Sequence, residues 1–162
     1  MRVAEVMMGT PYRCGPETNL GSATELMWIG NCGFLPVVGN SGKTMGVITD
    51  RDICVALGTR GKPSGEVLVR DVMSKNVFSC APDDDIHMAL RTMREGRVRR
   101  LPVVAKSGEL VGVVSIDDIV LHTDPSRFGK AGEPSSDEVL KTFQAIDSRQ
   151  LPQVVAKKST VV

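Results

Sequence analysis

Gly46-Val47-Ile48-Thr49-Asp50-Arg51-Asp52-Ile53 recurs 66 residues later as Gly112-Val113-Val114-Ser115-Ile116-Asp117-Asp118-Ile119. Each copy opens with glycine and a β-branched run, which favours a strand. A hydroxyl residue follows, with an aspartate three positions on, which is how a helix begins. Each copy is therefore a strand turning into a helix, with a hydroxyl and a carboxylate at the junction. A helix N-terminus offers unpaired N–H groups and partial positive charge, a natural seat for phosphate. A carboxylate with two free oxygens can accept both hydroxyls of a ribose. The same residues also make a helix capping box that needs no ligand, so the junction alone leaves both readings open.

Working outward, residues 3–57 lie over 69–123 at a constant offset of 66 with no gap, and eighteen pairs are identical. They include Val6/Val72, Cys14/Cys80, Met27/Met93, Gly30/Gly96, Leu35/Leu101, Pro36/Pro102 and Asp52/Asp118. This is a tandem duplication, and two copies are too few for a solenoid. A pair packed face to face with pseudo-twofold symmetry is the expected arrangement.

Within each copy, Pro11–Cys14 and Val77–Cys80 read as a short first strand. Pro16 and Pro82 precede helices. Ile86, Ala89, Leu90 and Met93 fall on one helical face, matched by Leu20, Ala23 and Met27 in the first copy. Gly30 and Gly96 suit the helix ends. Phe34–Val38 and Arg100–Val104 are apolar strands whose internal proline predicts an edge or a break in pairing. Tight turns at 40–43 and 106–109 lead back into the organising stretch. The unit is β-α-β-β-α, and the fold class is α+β. The expected division is 1–60 for the first repeat, 66–124 for the second, and 125–162 for a C-terminal extension. Gly58–Gly65 reads as a flexible, basic linker. Residues 124–134 are polar and Gly/Pro-rich, and 157–162 are expected to fray. Between them, Ser136 to Ala145 is expected to be a packed helix carrying the stripe Val139, Leu140, Phe143 and Ile146.

Apolar residues make up 41% of the 162 and charged residues 24%, as in ordinary globular proteins. The net charge of +1 gives no global reason to expect nucleic acid or an anionic membrane. No apolar run approaches a bilayer span, and the N-terminus has no signal-peptide core, so a cytoplasmic location is expected. The four cysteines make no C-x-x-C pair and no zinc-ligand cluster, and read as structural free thiols. No metal site is expected. No nucleophile–base constellation is present, so the chain is not expected to be an enzyme.

The whole repeat resembles the CBS domain, and the pair resembles a Bateman module. The motifs carrying the resemblance each occur twice and in order. They are the proline before the first helix, Leu-Pro-Val-Val in the middle strand, and Gly-(apolar)-(apolar)-(Ser/Thr)-x-x-Asp before the second helix. The resemblance covers residues 1–123. It implies two pseudo-symmetric clefts that bind adenine nucleotides: AMP first, with ADP, ATP or S-adenosylmethionine as alternatives. It also implies a homodimer and a regulatory, energy-sensing role toward an unidentified partner protein.

By that resemblance, the first cleft takes Thr49 and Asp52, with Arg51 at the same helix start. Its base would lie against Val77, Phe78 and Val98, with Arg99 and Arg100 near the phosphates. The second cleft takes Ser115 and Asp118, with its base against Pro11, Tyr12 and Cys32. Gly33 and Phe34 stand there in place of the two arginines, and Asp117 replaces Arg51. A nucleotide with phosphates is therefore expected to fill the first cleft first, leaving the second weaker or to a less anionic adenosyl ligand. A competing reading is a structural or interaction protein with vestigial clefts, acting through its C-terminal helix. A nucleic-acid binder using Arg97-Val98-Arg99-Arg100 is opposed by the near-neutral charge and the scarcity of aromatics.

Overall fold

The structure is a computed structural model that describes residues 1–123 and 132–148. The expectations for 124–131 and for a frayed end at 157–162 lie outside the described residues.

In the first repeat, α1 (Leu20–Ile29) leads to β1 (Phe34–Val38), β2 (Thr44–Thr49) and α2 (Asp50–Arg60). The second repeat gives α3 (Ile86–Gly96), β3 (Arg100–Val104), β4 (Leu110–Ser115) and α4 (Ile116–Leu121), and α5 (Ser136–Asp147) follows. Asn19 and Asp85 cap α1 and α3, their side chains accepting from Ser22 N–H and His87 N–H. The expected apolar faces are buried: Leu20 and Ala23 in α1, Ile86, Ala89, Leu90 and Met93 in α3, each fully enclosed, with Met27 nearly so.

The first strand of each repeat is corrected to a single bridge, Cys14 beside Val37 and Cys80 beside Val103, both parallel. Cys14 N–H donates to Pro36 O and Val38 N–H donates to Cys14 O. Pro36 and Pro102 have no N–H to offer, and Pro16 and Pro82 close the segments, which limits the ladder in both repeats. Nor is β1 an edge. It lies between Cys14 and β2, and its proline is accommodated because its carbonyl makes the bond. The predicted break in pairing does occur, as a register shift at Val37/Val38 and again at Val103/Val104. The linker is also shorter than expected. α2 continues through Gly58 and Thr59 to Arg60 and ends on Gly61 in the left-handed conformation.

The repeats exchange their lead-in segments. Met8 pairs with Val113 on β4 of the second repeat, and Ser74 pairs with Val47 on β2 of the first. The strands they meet carry Gly112 and Gly46, where an added Cβ would stand 2.9 Å from Met8 O and 2.7 Å from Ser74 O. Only glycine admits the crossing chain so closely. The cores follow the exchange: Val3 and Val6 pack with Ile86, Leu90 and Ile119, while Val67 and Val69 pack with Leu20, Ile48 and Ile53. The two hairpin turns meet at a Lys43–Glu109 bridge. Two tandem repeats are thus locked together by a pseudo-twofold swap. Burial pushes the Cys14 thiol up to about 11, and burial with the charge of Asp84 pushes Cys80 to about 12, so both stay protonated core groups.

Candidate functional site

Both junctions form as capping boxes. Thr49 Oγ1 accepts from Asp52 N–H at 3.2 Å, while Asp52 Oδ2 accepts from Thr49 N–H at 2.9 Å and from Thr49 Oγ1 at 2.7 Å. Ser115 and Asp118 repeat the pattern at 3.1, 2.8 and 2.6 Å. The cap reading is what the structure shows at both junctions. The cap engages Oδ2 of each aspartate. No hydrogen bond to Oδ1 of either aspartate is found among the described residues, so that oxygen keeps its capacity to accept one.

The exchange of lead-in segments creates the second cleft. Beyond Met8 the first repeat's chain passes over β4, so Pro11 and Tyr12 come to the start of α4. A cavity of about 240 Å³ lies there, lined by Pro11, Tyr12, Cys32 and Phe34 from one repeat and Arg100, Ser115, Asp117 and Asp118 from the other. The Tyr12 ring rests on Gly30, where an added Cβ would lie 2.6 Å from it. Phe78 rests on Gly96 in the same way, also at 2.6 Å. These glycines end their helices as expected, but the left-handed residue is the next one, Asn31 or Arg97. What requires glycine is the aromatic ring. Gly30→Ala is expected to displace Tyr12 and to destabilise the fold by about 1–3 kcal/mol as an overpacked contact, measured by chemical denaturation.

Three expected positions change. Arg100, expected at the first cleft, lines the second: it pairs with Ser115 across the β3–β4 ladder, and its Nη2 lies 3.8 Å from Asp117 Oδ2. Arg99, expected near the same phosphates, instead donates from Nη2 to Asp147 at the end of α5, at 2.7 Å. Gly33, expected at the second cleft, faces Asp50, whose Oδ2 would be 2.5 Å from an added Cβ, and lines a different groove between α1 and α2. The cause is alternation along the chain: Phe34 and Arg100 begin the strands and turn toward the cleft, so Gly33 and Arg99 turn toward the helices. Asp117 lines the second cavity where it was expected, and Asn31 and Met8 line it too, although the sequence assigns them no role there.

At the first cleft, Thr49 and Asp52 stand as the cap described, and Arg51 is exposed beside them. Val77 and Phe78 follow the Ser74 bridge as Pro11 and Tyr12 follow Met8. Phe78 and Val98 are half-buried and pack against the second repeat's core. Among the described residues no group of three or more His, Cys, Asp or Glu side chains is placed to hold a metal. No helix there is long and apolar enough to cross a membrane.

Comparison with known proteins bears on both fold and site. An uncharacterized protein of Acidianus ambivalens is 30% identical over 135 residues, 82% of this chain and 80% of that one. The CBS domain-containing protein YhcV of Bacillus subtilis is 34% identical over 120 residues, 74% of this chain and 84% of that one. A Methanopyrus kandleri protein is 34% identical over 93 residues, or 57% of this chain, and the match spans about half, 47%, of its length. The solved CBS domain pair of protein MJ0100, in complex with 5'-methylthioadenosine and S-adenosyl-L-methionine, superposes with a TM-score of 0.68 at 25% identity, covering 75% of this chain and 94% of that one. A conserved CBS domain protein of Thermoplasma acidophilum shares the fold with a TM-score of 0.75 at 22% identity, covering 92% of this chain and 78% of that one. A family model for the CBS domain matches residues 3–59 and again 69–123. The chain belongs to the CBS domain family and carries two of its domains in tandem.

Proposed function

We propose that the protein is a regulatory module, not an enzyme, that binds an adenosyl ligand in its second cleft and acts as a homodimer on a partner protein in the cytoplasm. The observation carrying this reading is the composite wall of that cleft: Tyr12 and Cys32 come from one repeat, Ser115 and Asp118 from the other. A ligand held by both repeats favours one relative placement of the two, which is how occupancy becomes a signal. Oδ1 of Asp118 accepts a ribose hydroxyl, and the base lies along Pro11 and Tyr12. Arg100 turns from Asp117 to the ligand's 5' end. One guanidinium set among two carboxylates suits a monophosphate or an uncharged or cationic 5' group better than a triphosphate. AMP and S-adenosylmethionine are therefore the leading ligands, and an AMP preference would make the module a sensor of energy state. The MJ0100 pair, with its two adenosyl ligands, supports this class.

Pairing of Arg99 with Asp147 and Arg100 with Asp117 balances the basic run, which argues against nucleic acid. A thermal-shift panel of AMP, ADP, ATP, NADH, S-adenosylmethionine and a short oligonucleotide tests the reading. A ligand at about a hundred times its Kd adds about 2.7 kcal/mol to stability and must raise Tm. AMP or S-adenosylmethionine is expected to give the largest rise and the oligonucleotide none. A panel with no adenosyl response would overturn the proposal.

A further inference from the structure

The second cleft and α5 meet at one backbone junction. Arg99 and Arg100 are consecutive, at the entry to β3, and they turn opposite ways. Arg100 lines the second cleft, its Nη2 3.8 Å from Asp117 Oδ2. Arg99 donates from Nη2 to Asp147 Oδ1 at the end of α5, at 2.7 Å. The Arg99 carbonyl accepts from Ile116 N–H, the first amide of α4, at 2.9 Å. α4 is only six residues long. Its capping pair, Ser115 and Asp118, lines the cleft, and its buried Ile119 shares a core with Val139 of α5. A helix so short moves as one piece, so the cleft at its start and α5 along its side act on a single placement of α4.

The first repeat has the backbone of this junction without its side chains. Asp50 N–H donates to Gly33 O at 3.2 Å, as Ile116 N–H does to Arg99 O. Three basic residues hold α5 in the second repeat: His87 meets Glu138, Arg94 donates to Thr142, and Arg99 meets Asp147. At the offset of 66 the first repeat has Gly21, Trp28 and Gly33 in their places. The link to a C-terminal helix is therefore a property of the second repeat, beside the cleft whose wall both repeats build.

α5 can separate as a unit. Arg99 and Asp147 are 54% and 61% exposed, and ion pairs so solvated hold weakly. Val139 and Thr142 are the buried residues of α5, and the rest of its docking is a partly buried apolar stripe. An element held this way opens locally while the remainder of the fold stays closed. The Ser115–Asp118 cap and the docked α5 occur together in this structure. A ligand that uses the capped start of α4 therefore favours the placement on which α5 docks, which makes the coupling positive.

We infer that α5 is the output element of the second cleft: ligand there tightens α5 on the second repeat, and release of α5 weakens the ligand. This rests on the adenosyl-ligand reading of that cleft and names the element that reports its occupancy. Linkage requires one factor in both directions. The test uses the full chain, with AMP and S-adenosylmethionine as probes. Amide hydrogen exchange of α5 is expected to slow by about fivefold or more at saturating ligand. Phe143→Asp sets a charge against the second core and releases α5, and calorimetry is expected to show affinity falling by the same factor. Arg99→Ala cuts the direct link without charging the core and is expected to act in the same direction by less. Arg99 does not line the cleft, so a purely structural role for it would leave affinity unmoved. Leu140→Ala, at a position 56% exposed on α5, is expected to keep the wild-type affinity. If neither probe binds the wild type, the ligand reading falls and this coupling with it. Binding that leaves α5 exchange unchanged, or affinity undiminished in folded Phe143→Asp and Arg99→Ala, would overturn the coupling alone.

Discussion

Asp118→Asn is expected to weaken adenosyl-ligand binding by about tenfold or more while leaving the fold nearly unchanged. In the native chain Oδ2 holds the cap of α4, accepting from Ser115 N–H and Ser115 Oγ, and Oδ1 faces no partner among the described residues. Asparagine keeps one carbonyl oxygen, which can continue the cap, but replaces the other acceptor with an NH2 donor. The ribose hydroxyl then loses its charged acceptor. A charged hydrogen bond is worth roughly 1.5–3 kcal/mol, so its loss costs about one to two decades of affinity. Alanine would remove the cap as well, at about 1 kcal/mol, and blur the result. Isothermal titration calorimetry with AMP and S-adenosylmethionine reads the first effect, and urea denaturation the second.

Asp52→Asn is the matched control, because Asp52 makes the same capping box at α2. With Arg100 at the second cleft and Arg99 tied to α5, the first cleft keeps only Arg51 of the three arginines expected there. Asp52→Asn is therefore expected to spare the tighter binding step that Asp118→Asn damages. The opposite ranking would return the main site to the first cleft and show that Arg99 leaves Asp147 when ligand binds.

The repeat, the buried helix faces and the capping boxes were legible in the sequence because each is local or recurs at a fixed offset. What crosses the repeats was not. The exchange of lead-in segments has one sequence signal, Gly46 and Gly112, whose lack of a side chain makes room for Ser74 and Met8, but nothing says which chain arrives. The resemblance alone assigns Arg100 to the first cleft, and the hairpin register places it elsewhere. Counting back from the Lys106–Glu109 turn in an unbroken ladder pairs Arg100 with Val114. The register shift at Val103/Val104 pairs it with Ser115 and so brings it to the helix start. Leu101, Pro102 and Val103 are all buried, so no in–out alternation along β3 marks the side to which Arg100 turns. The first strands are cut short by prolines that both repeats share: Pro16 and Pro82 close the segment, and Pro36 and Pro102 give the neighbouring strand no N–H at that point.

Truncation after Thr123 is expected to lower Tm by about 10 °C and to promote aggregation. α5 was expected as a packed helix from its stripe, and it forms over Ser136–Asp147 with Ser135 as its cap. Val139 is 6% exposed and Thr142 is fully buried, while Phe143 and Ile146 are partly buried against the second core. Full burial of such apolar side chains is worth about 1.5–3 kcal/mol each, so this partial set contributes roughly 3–5 kcal/mol. For a domain of this size that corresponds to a shift of about 10 °C. Removing the helix also uncovers a contiguous apolar strip on α3 and α4, which is an aggregation surface. Point variants separate packing from a partner role. Phe143→Ala should cost about 2 kcal/mol, since its ring is only partly enclosed, whereas Leu140→Ala should cost under about 0.5 kcal/mol because Leu140 is 56% exposed. Differential scanning calorimetry of the three variants decides. If truncation leaves Tm unchanged, α5 does not cover the second repeat's groove, and an interaction role for a free C-terminal helix becomes the better reading.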